Sequence, residues 1–258
     1  AMNNRREFLR SFVQPYQGAA VSDEIIYMSA KRVAQLIRDK KASCVEVAQA
    51  YIDRIEKVNP KLNAVVQNCF ERALTEAREL DALLGQGRTR GPLHGVPMTT
   101  KDSIDTEGVI STGGTIGRMD YVPPKHATVV ARLRSAGAVL LGKTNTPEYT
   151  LARGGVTGIS STGNLIYGIS KNPYDLTRGT SGSSGGAGAI VAGGGAAFDI
   201  GSDWGGSIRG PAHANGFALS TGDTHSVGMG GLTTGGGIGF MGRKYRLGID
   251  NLLRVQVV

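Results

Sequence analysis

Two runs rich in serine and glycine, Ser181-Gly182-Ser183-Ser184-Gly185-Gly186 and Asp203-Trp204-Gly205-Gly206-Ser207-Ile208-Arg209, bracket an apolar stretch in the second half of the chain. Ala187 to Val191 opens a helix directly behind the first run, and Ala197 to Ile200 reads as a strand aimed at the second. Strands that alternate with helices in this way predict a layered α/β fold. No internal repeat interrupts that reading.

The first third of the chain predicts a helical preface. Ser29 caps a helix whose apolar face is Val33, Leu36 and Ile37, and Ser43 with Glu46 forms a capping box for a second carrying Val47, Tyr51 and Ile55. Asn59-Pro60 is expected to end that second helix. Leu62 to Val66 then reads as a short strand, and Phe70 to Leu84 as a third helix stopped by Gly85. Gly95 to Thr100 reads as a strand that delivers Lys101, followed by Asp102. Thr128 to Ser135 is predicted helical with Gly137 as its C-cap, and Ala138 to Leu141 as a buried strand.

Chemistry concentrates in the serines and this lysine. Ser207 follows Ser183 by 24 positions, and glycines beside each let main-chain N–H groups approach a substrate that a Cβ would obstruct. A lysine acts as a base only if burial lowers its pKa from about 10.4 towards neutrality. Each residue also has a plainer reading: Lys101 as a surface lysine after a strand, Ser183 and Ser207 as turn serines.

The stretch from Pro92 to about Gly216 resembles the amidase signature family of serine hydrolases. The resemblance is carried by Pro92-Leu93-His94-Gly95-Val96-Pro97 leading to Lys101-Asp102, by Ser111-Thr112-Gly113-Gly114-Thr115, and by Ala136-Gly137-Ala138-Val139-Leu140-Leu141-Gly142-Lys143-Thr144-Asn145. Asn172-Pro173-Tyr174-Asp175, both serine–glycine runs and Gly201-Ser202-Asp203 through Pro211-Ala212 complete it. It implies a large mixed sheet covered by helices and an amidohydrolase that uses no cofactor and no metal. It implies Ser207 as nucleophile, Ser183 on a cis peptide bond as the bridging serine and Lys101 as base. The oxyanion would rest on N–H groups around Trp204, Gly205, Gly206 and Ser207. Asp203 and Arg209 are expected as an ion pair propping the nucleophile loop or as substrate contacts, and Thr180 and Ser184 as supporting or substrate-binding groups. Linear amides, aryl amides or carbamates are the implied small-molecule substrates. A transamidase subunit of the same family and a non-catalytic interaction domain are the alternatives.

Two other motifs compete. Gly137-Ala138-Val139-Leu140-Leu141-Gly142-Lys143-Thr144 fits the phosphate-loop pattern, yet its variable positions are an apolar run that reads as the strand itself. Gly182-Ser183-Ser184-Gly185-Gly186 fits the nucleophile elbow with Ser184 central, and His213 and His225 lie downstream, so an esterase using Ser184 and a histidine is the runner-up. No hydrophobic strand leads into it, which counts against that reading. His94 and His126 read as loop histidines, and Trp204 as a packing residue or an apolar wall.

Composition sets limits. In 258 residues, 40% hydrophobic and 19% charged content is ordinary for a globular domain, and a net charge of +8 is spread beside acids rather than gathered in a stripe. Nucleic acid is therefore not expected as a partner; a homodimer is compatible. Cys44 and Cys69 read as free thiols, buried or half-buried, in helical segments. No apolar run has the length of a membrane span, so no membrane association is expected. Arg5-Arg6-Glu7-Phe8-Leu9-Arg10 matches the charged end of a twin-arginine signal, but the polar stretch after it favours a cytoplasmic protein, and Ala1 before Met2 reads as a cloning remnant. The expected organisation is an N-terminal arm (1–28), an amidase signature domain (29–216) with helical preface (29–90) and catalytic core (91–216), and a glycine-rich segment (217–258). Three departures from the family pattern stand out. Ser181 replaces a usual glycine, the expected G-x-K-P-T-x-G-R does not follow Gly216, and the C-terminal part of the family fold is expected to be missing.

Overall fold

The computed structural model describes residues 24–151, 162–216, 218–221 and 237–242. Helix α1 (Ala30–Arg38) starts where Ser29 Oγ accepts the Arg32 N–H, and α2 (Cys44–Leu62) starts on the complete Ser43–Glu46 capping box. Strand β1 (Val65–Asn68), helix α3 (Phe70–Gly85), strand β2 (Pro97–Lys101), helix α4 (Thr128–Ser135) and strand β3 (Val139–Thr144) come next. After two short ribbons, β4–β5 (Gly163–Asn164, Gly168–Ile169) and β6–β7 (Lys171–Asn172, Asp175–Gly179), come α5 (Gly185–Gly193), β8 (Phe198–Asp203) and α6 (Arg209–Asn215). Strands β9 (Ala218–Thr221) and β10 (Gly237–Gly242) fall in the glycine-rich segment.

Six strands form one mixed sheet in the order β1-β3-β2-β8-β10-β9. β2 lies at its centre, parallel to both β3 and β8, while the outer pairings β1–β3, β8–β10 and β10–β9 are antiparallel. The parallel central strands are buried along almost their whole length, so Lys101, Lys143 and Asp199 within them are held by hydrogen bonds inside the fold. Helix α2 packs on α3 and α5, and these helices contact the sheet. Tyr51, Leu80, Met98, Leu140, Leu141, Ile190 and Ile200 fill the main core at 2% exposure or less.

Several boundaries differ from expectation. Helix α2 runs through Pro60 and ends at Leu62, so the proline removes one N–H from the intrahelical bonds without ending the helix there. Asn63 then takes the left-handed conformation and donates to Asn59 O, so the strand begins at Val65 instead of Leu62. Gly85 lies inside α3, whose end is closed by Gln86 and by Gly87 at φ +73°. Gly137, at φ +98°, follows the C-cap Ala136. A Cβ there would sit 2.7 Å from His94 Cα, so this position needs glycine twice over.

Candidate active site

Lys101 is the last residue of β2, and its side chain has no solvent exposure. Its Nζ lies 2.7 Å from Ser183 Oγ and 3.0 Å from Ser202 Oγ. Burial pushes the amine down to about 7, against the upward pull of the Asp199 and Asp203 carboxylates. Ser183 is 4% exposed and follows a cis peptide bond from Gly182. Ser207, partly buried, sits in the turn between β8 and α6, and its carbonyl accepts the Ser184 N–H at 3.0 Å. The two serine–glycine runs, 24 residues apart in sequence, are thus joined through the main chain.

The turn around Ser207 is organised by Asp203. Its carboxylate accepts from Gly206 N–H at 2.8 Å, Ile208 N–H at 3.0 Å and Arg209 N–H at 3.1 Å, and is gripped by the Arg209 guanidinium at 3.0 and 3.1 Å. Burial alone would raise this carboxyl's pKa; the Arg209 guanidinium and the three N–H groups outweigh it and hold the group well below the usual carboxylate range. The Gly206 N–H, grouped with the oxyanion donors in the sequence reading, is directed at Asp203 here. Trp204 is 70% exposed on the same turn, so it is not a packing residue.

The glycines of the two runs differ in what surrounds them. A Cβ on Gly185 would collide with Thr180 and Thr162 hydroxyls, and one on Gly186 with the Asn145 main chain. Those glycines let the start of α5 approach the Thr162 and Thr180 side chains and the Asn145 main chain. Gly205 and Gly206 face open space instead, with Gly206 at φ +106°. Ser181 holds φ +60° without being glycine.

Thr180 is buried and donates to Ser181 O, and Ser184 is buried with its hydroxyl between the Ser202 carbonyl and N–H, each 3.3 Å away. Ser184 therefore works as a brace between α5 and β8. His94 and His126 are loop residues committed elsewhere: His94 Nδ1 accepts from Arg90 N–H, and His126 Nδ1 from Glu107 N–H. His213 lies exposed on α6, and His225 lies outside the described residues. Among the described residues no histidine is coupled to Ser184, whose hydroxyl is taken up by Ser202. The phosphate-loop pattern resolves into β3, where Lys143 is fully buried and donates to Ile104 O, Thr106 Oγ1 and Ser111 Oγ. Burial lowers its pKa to about 8.

Sequence reasoning assigned no role to Ser202 or Asp199. Ser202 is the second hydroxyl on Lys101. Asp199, unexposed on β8, accepts from Thr99 Oγ1 at 2.6 Å and Thr144 Oγ1 at 3.0 Å. A charged residue inside an otherwise apolar strand, Phe198-Asp199-Ile200, was the available signal. Among the described residues no group of histidine, cysteine or acidic side chains could hold a metal ion, and no helix is long and apolar enough to cross a membrane. Both cysteines are free and buried.

Comparison with known proteins identifies a family. The Amidase family profile matches residues 46–218. A glutamyl-tRNA(Gln) amidotransferase subunit from Moorella thermoacetica is 47% identical over 189 residues, 73% of this chain and 37% of that protein. Human fatty-acid amide hydrolase 2 is 39% identical over 203 residues, covering 76% and 37% respectively. Among solved structures, a fatty acid amide hydrolase superposes with a TM-score of 0.80 at 28% identity, over 96% of this chain and 44% of its own. A bacterial aryl acylamidase superposes with a TM-score of 0.67 at 36% identity, over 72% and 37%. The chain thus spans well under half the length of these relatives. A match over most of the chain, together with a mixed sheet that brings a buried lysine against a serine, means that this protein belongs to the amidase family.

Proposed function

We propose that the chain carries the catalytic centre of an amidohydrolase that cleaves linear amides, aryl amides or carbamates through an acyl-enzyme on Ser207. The observation that supports this most strongly is the 2.7 Å contact between Ser183 and a lysine that burial has brought to about 7. An amine at that value is substantially neutral at physiological pH and has a lone pair for the Ser183 proton. Ser183 in turn relays the proton of Ser207 Oγ as that oxygen bonds to the substrate carbonyl carbon. The negative charge that develops on the carbonyl oxygen falls to main-chain N–H groups of the 204–207 turn, with Gly206 N–H drawn from Asp203 as the oxyanion forms. The relay returns the proton to the leaving nitrogen, the C–N bond breaks, and water releases the acid.

Asp203 and Arg209 act in this scheme as the brace of the nucleophile turn, and Thr180 and Ser184 as supports of the first serine run. The chemistry calls on no cofactor or metal. We take residues 29–216 as the unit that carries it.

Labelling with a fluorophosphonate, located by peptide mass spectrometry, tests the reading. Ser207 is expected to carry the adduct, and Lys101→Ala to slow its formation by about 100-fold or more. Adduct on Ser184 would support the histidine-dependent esterase instead, and no adduct on any serine would support a binding domain. A panel of an anilide, an alkyl amide, a carbamate and an ester then separates the substrate classes.

A further inference from the structure

The Lys101 amine does not stand alone in the sheet. Asp199 is paired in register with Thr99 across β2 and β8, and its Oδ2 accepts from Thr99 on one side and from Thr144 on the other. One carboxylate therefore ties the three central strands, two residues before Lys101 on β2. Its Oδ1 is buried without a hydrogen-bond partner among the described residues. A buried carboxylate is normally satisfied at both oxygens or paired with a cation, and a structural clamp alone explains only one of the two. The nearby cations are the two buried lysines, Lys101 on β2 and Lys143 on β3.

We propose that Asp199 is a positioning residue for Lys101: it fixes β2 through Thr99 and, by its charge, sets how readily the amine takes up a proton from Ser183. The proposal rests on the reading of Lys101 as the base. An anion beside an amine favours its ammonium form, so Asp199 opposes the desolvation that drives Lys101 towards neutrality. Without it the amine would be neutral over a wider pH range but a weaker base. The same burial raises the Asp199 carboxyl to about 7, so that the two groups exchange charge in one pH range. The surrounding elements restrict the other contributors. Asp203 on β8 also faces Lys101, while Lys143 on β3 bears on Asp199 and is itself countered by Asp102 and Asp105 after β2. Helix α5 and strands β9 and β10 contain no titratable residue in their sequences.

The test is the rate of fluorophosphonate labelling of the full chain against pH, for wild type, Asp199→Asn, Thr144→Val and Lys101→Ala, with thermal melts of each. Asparagine keeps an acceptor for Thr99 and Thr144 but removes the charge. Its rising limb should move to lower pH by about one unit or more. Thr144→Val, which removes one hydrogen bond from the carboxylate, should move it in the same direction by less. A purely structural role would lower the rate equally at every pH and leave the midpoint in place. Midpoints unmoved in folded Asp199→Asn overturn the proposal, and if that variant does not fold, an unmoved midpoint in Thr144→Val does so. Labelling abolished in Lys101→Ala alongside unmoved midpoints leaves the base reading intact and removes only the role of Asp199. Labelling undiminished in Lys101→Ala overturns both.

Discussion

Asp203 shows at the scale of one residue how the turn around Ser207 is held. Three N–H groups and a guanidinium converge on its carboxylate, so its loss affects both placement and stability. Asp203→Asn is expected to slow labelling of Ser207 by about 10- to 100-fold, since a small displacement of a reacting group is costly. The stability effect has a defined sign. Because the folded-state pKa is depressed, the stabilisation is present above the ordinary value of about 3.9 and is lost as pH falls through the lower folded value. Wild type should therefore melt above the variant at pH 7, and the gap should close in strong acid. The residues of this site were unevenly visible in the sequence. Ser183 and Ser207 stand in recognisable serine–glycine runs, and Lys101 ends a short apolar run and is followed by Asp102. Ser202 follows Gly201 and Asp199 interrupts an apolar run, yet neither pattern discloses a partner, because that depends on which strand lies beside which.

At the scale of elements, chain ends and close approaches decide the outcome. Side-chain caps were readable at Ser29 and Ser43, since a cap is a contact within one turn. The end of α2 was misjudged because Pro60 was read as a terminator, whereas Asn59 organises the link from the helix into β1. Its Oδ1 accepts from Ala64 and Val65 N–H at 2.8 Å each, and its Nδ2 donates to Val65 O at 2.8 Å. Asn59→Ala leaves those groups without partners and should cost about 1–3 kcal/mol in chemical denaturation. A second contrast concerns the glycines. Gly186→Ala drives a methyl into the Asn145 main chain and should lower the melting temperature sharply, whereas Gly205→Ala meets open space and should leave it nearly unchanged. The sequence offers no way to tell these glycines apart, since each is the outer member of a Gly-Gly pair next to a serine.

The molecule as a whole buries Asp199, Lys101 and Lys143 in its central strands, and this gives its stability an unusual pH profile. Asp199 is raised to about 7, so between about 4 and 7 the folded chain keeps a proton that the unfolded chain has lost, and stability falls as pH rises. Lys101 and Lys143 are lowered to about 7 and about 8, so above those values the unfolded chain keeps protons that the folded chain has released, and stability recovers. Above about pH 9 the Cys44 and Cys69 thiols, raised by burial, pull the other way. These groups predict a shallow dip near neutrality, measurable by thermal melts at constant ionic strength, and Asp199→Asn should flatten its acidic side. The alternation of strands and helices made the α/β class readable, but not the sheet order, because β2 finds its neighbours β3 and β8 across long intervening segments.

The bond from the Ser184 amide to the Ser207 carbonyl has a practical consequence for anyone altering the exposed surface of this turn. It is made by peptide groups, so exchanging side chains nearby does not remove it. Substitutions at Trp204 and other exposed neighbours can therefore reshape the surface of the turn while the main-chain tie between the two serine–glycine runs stays as it is.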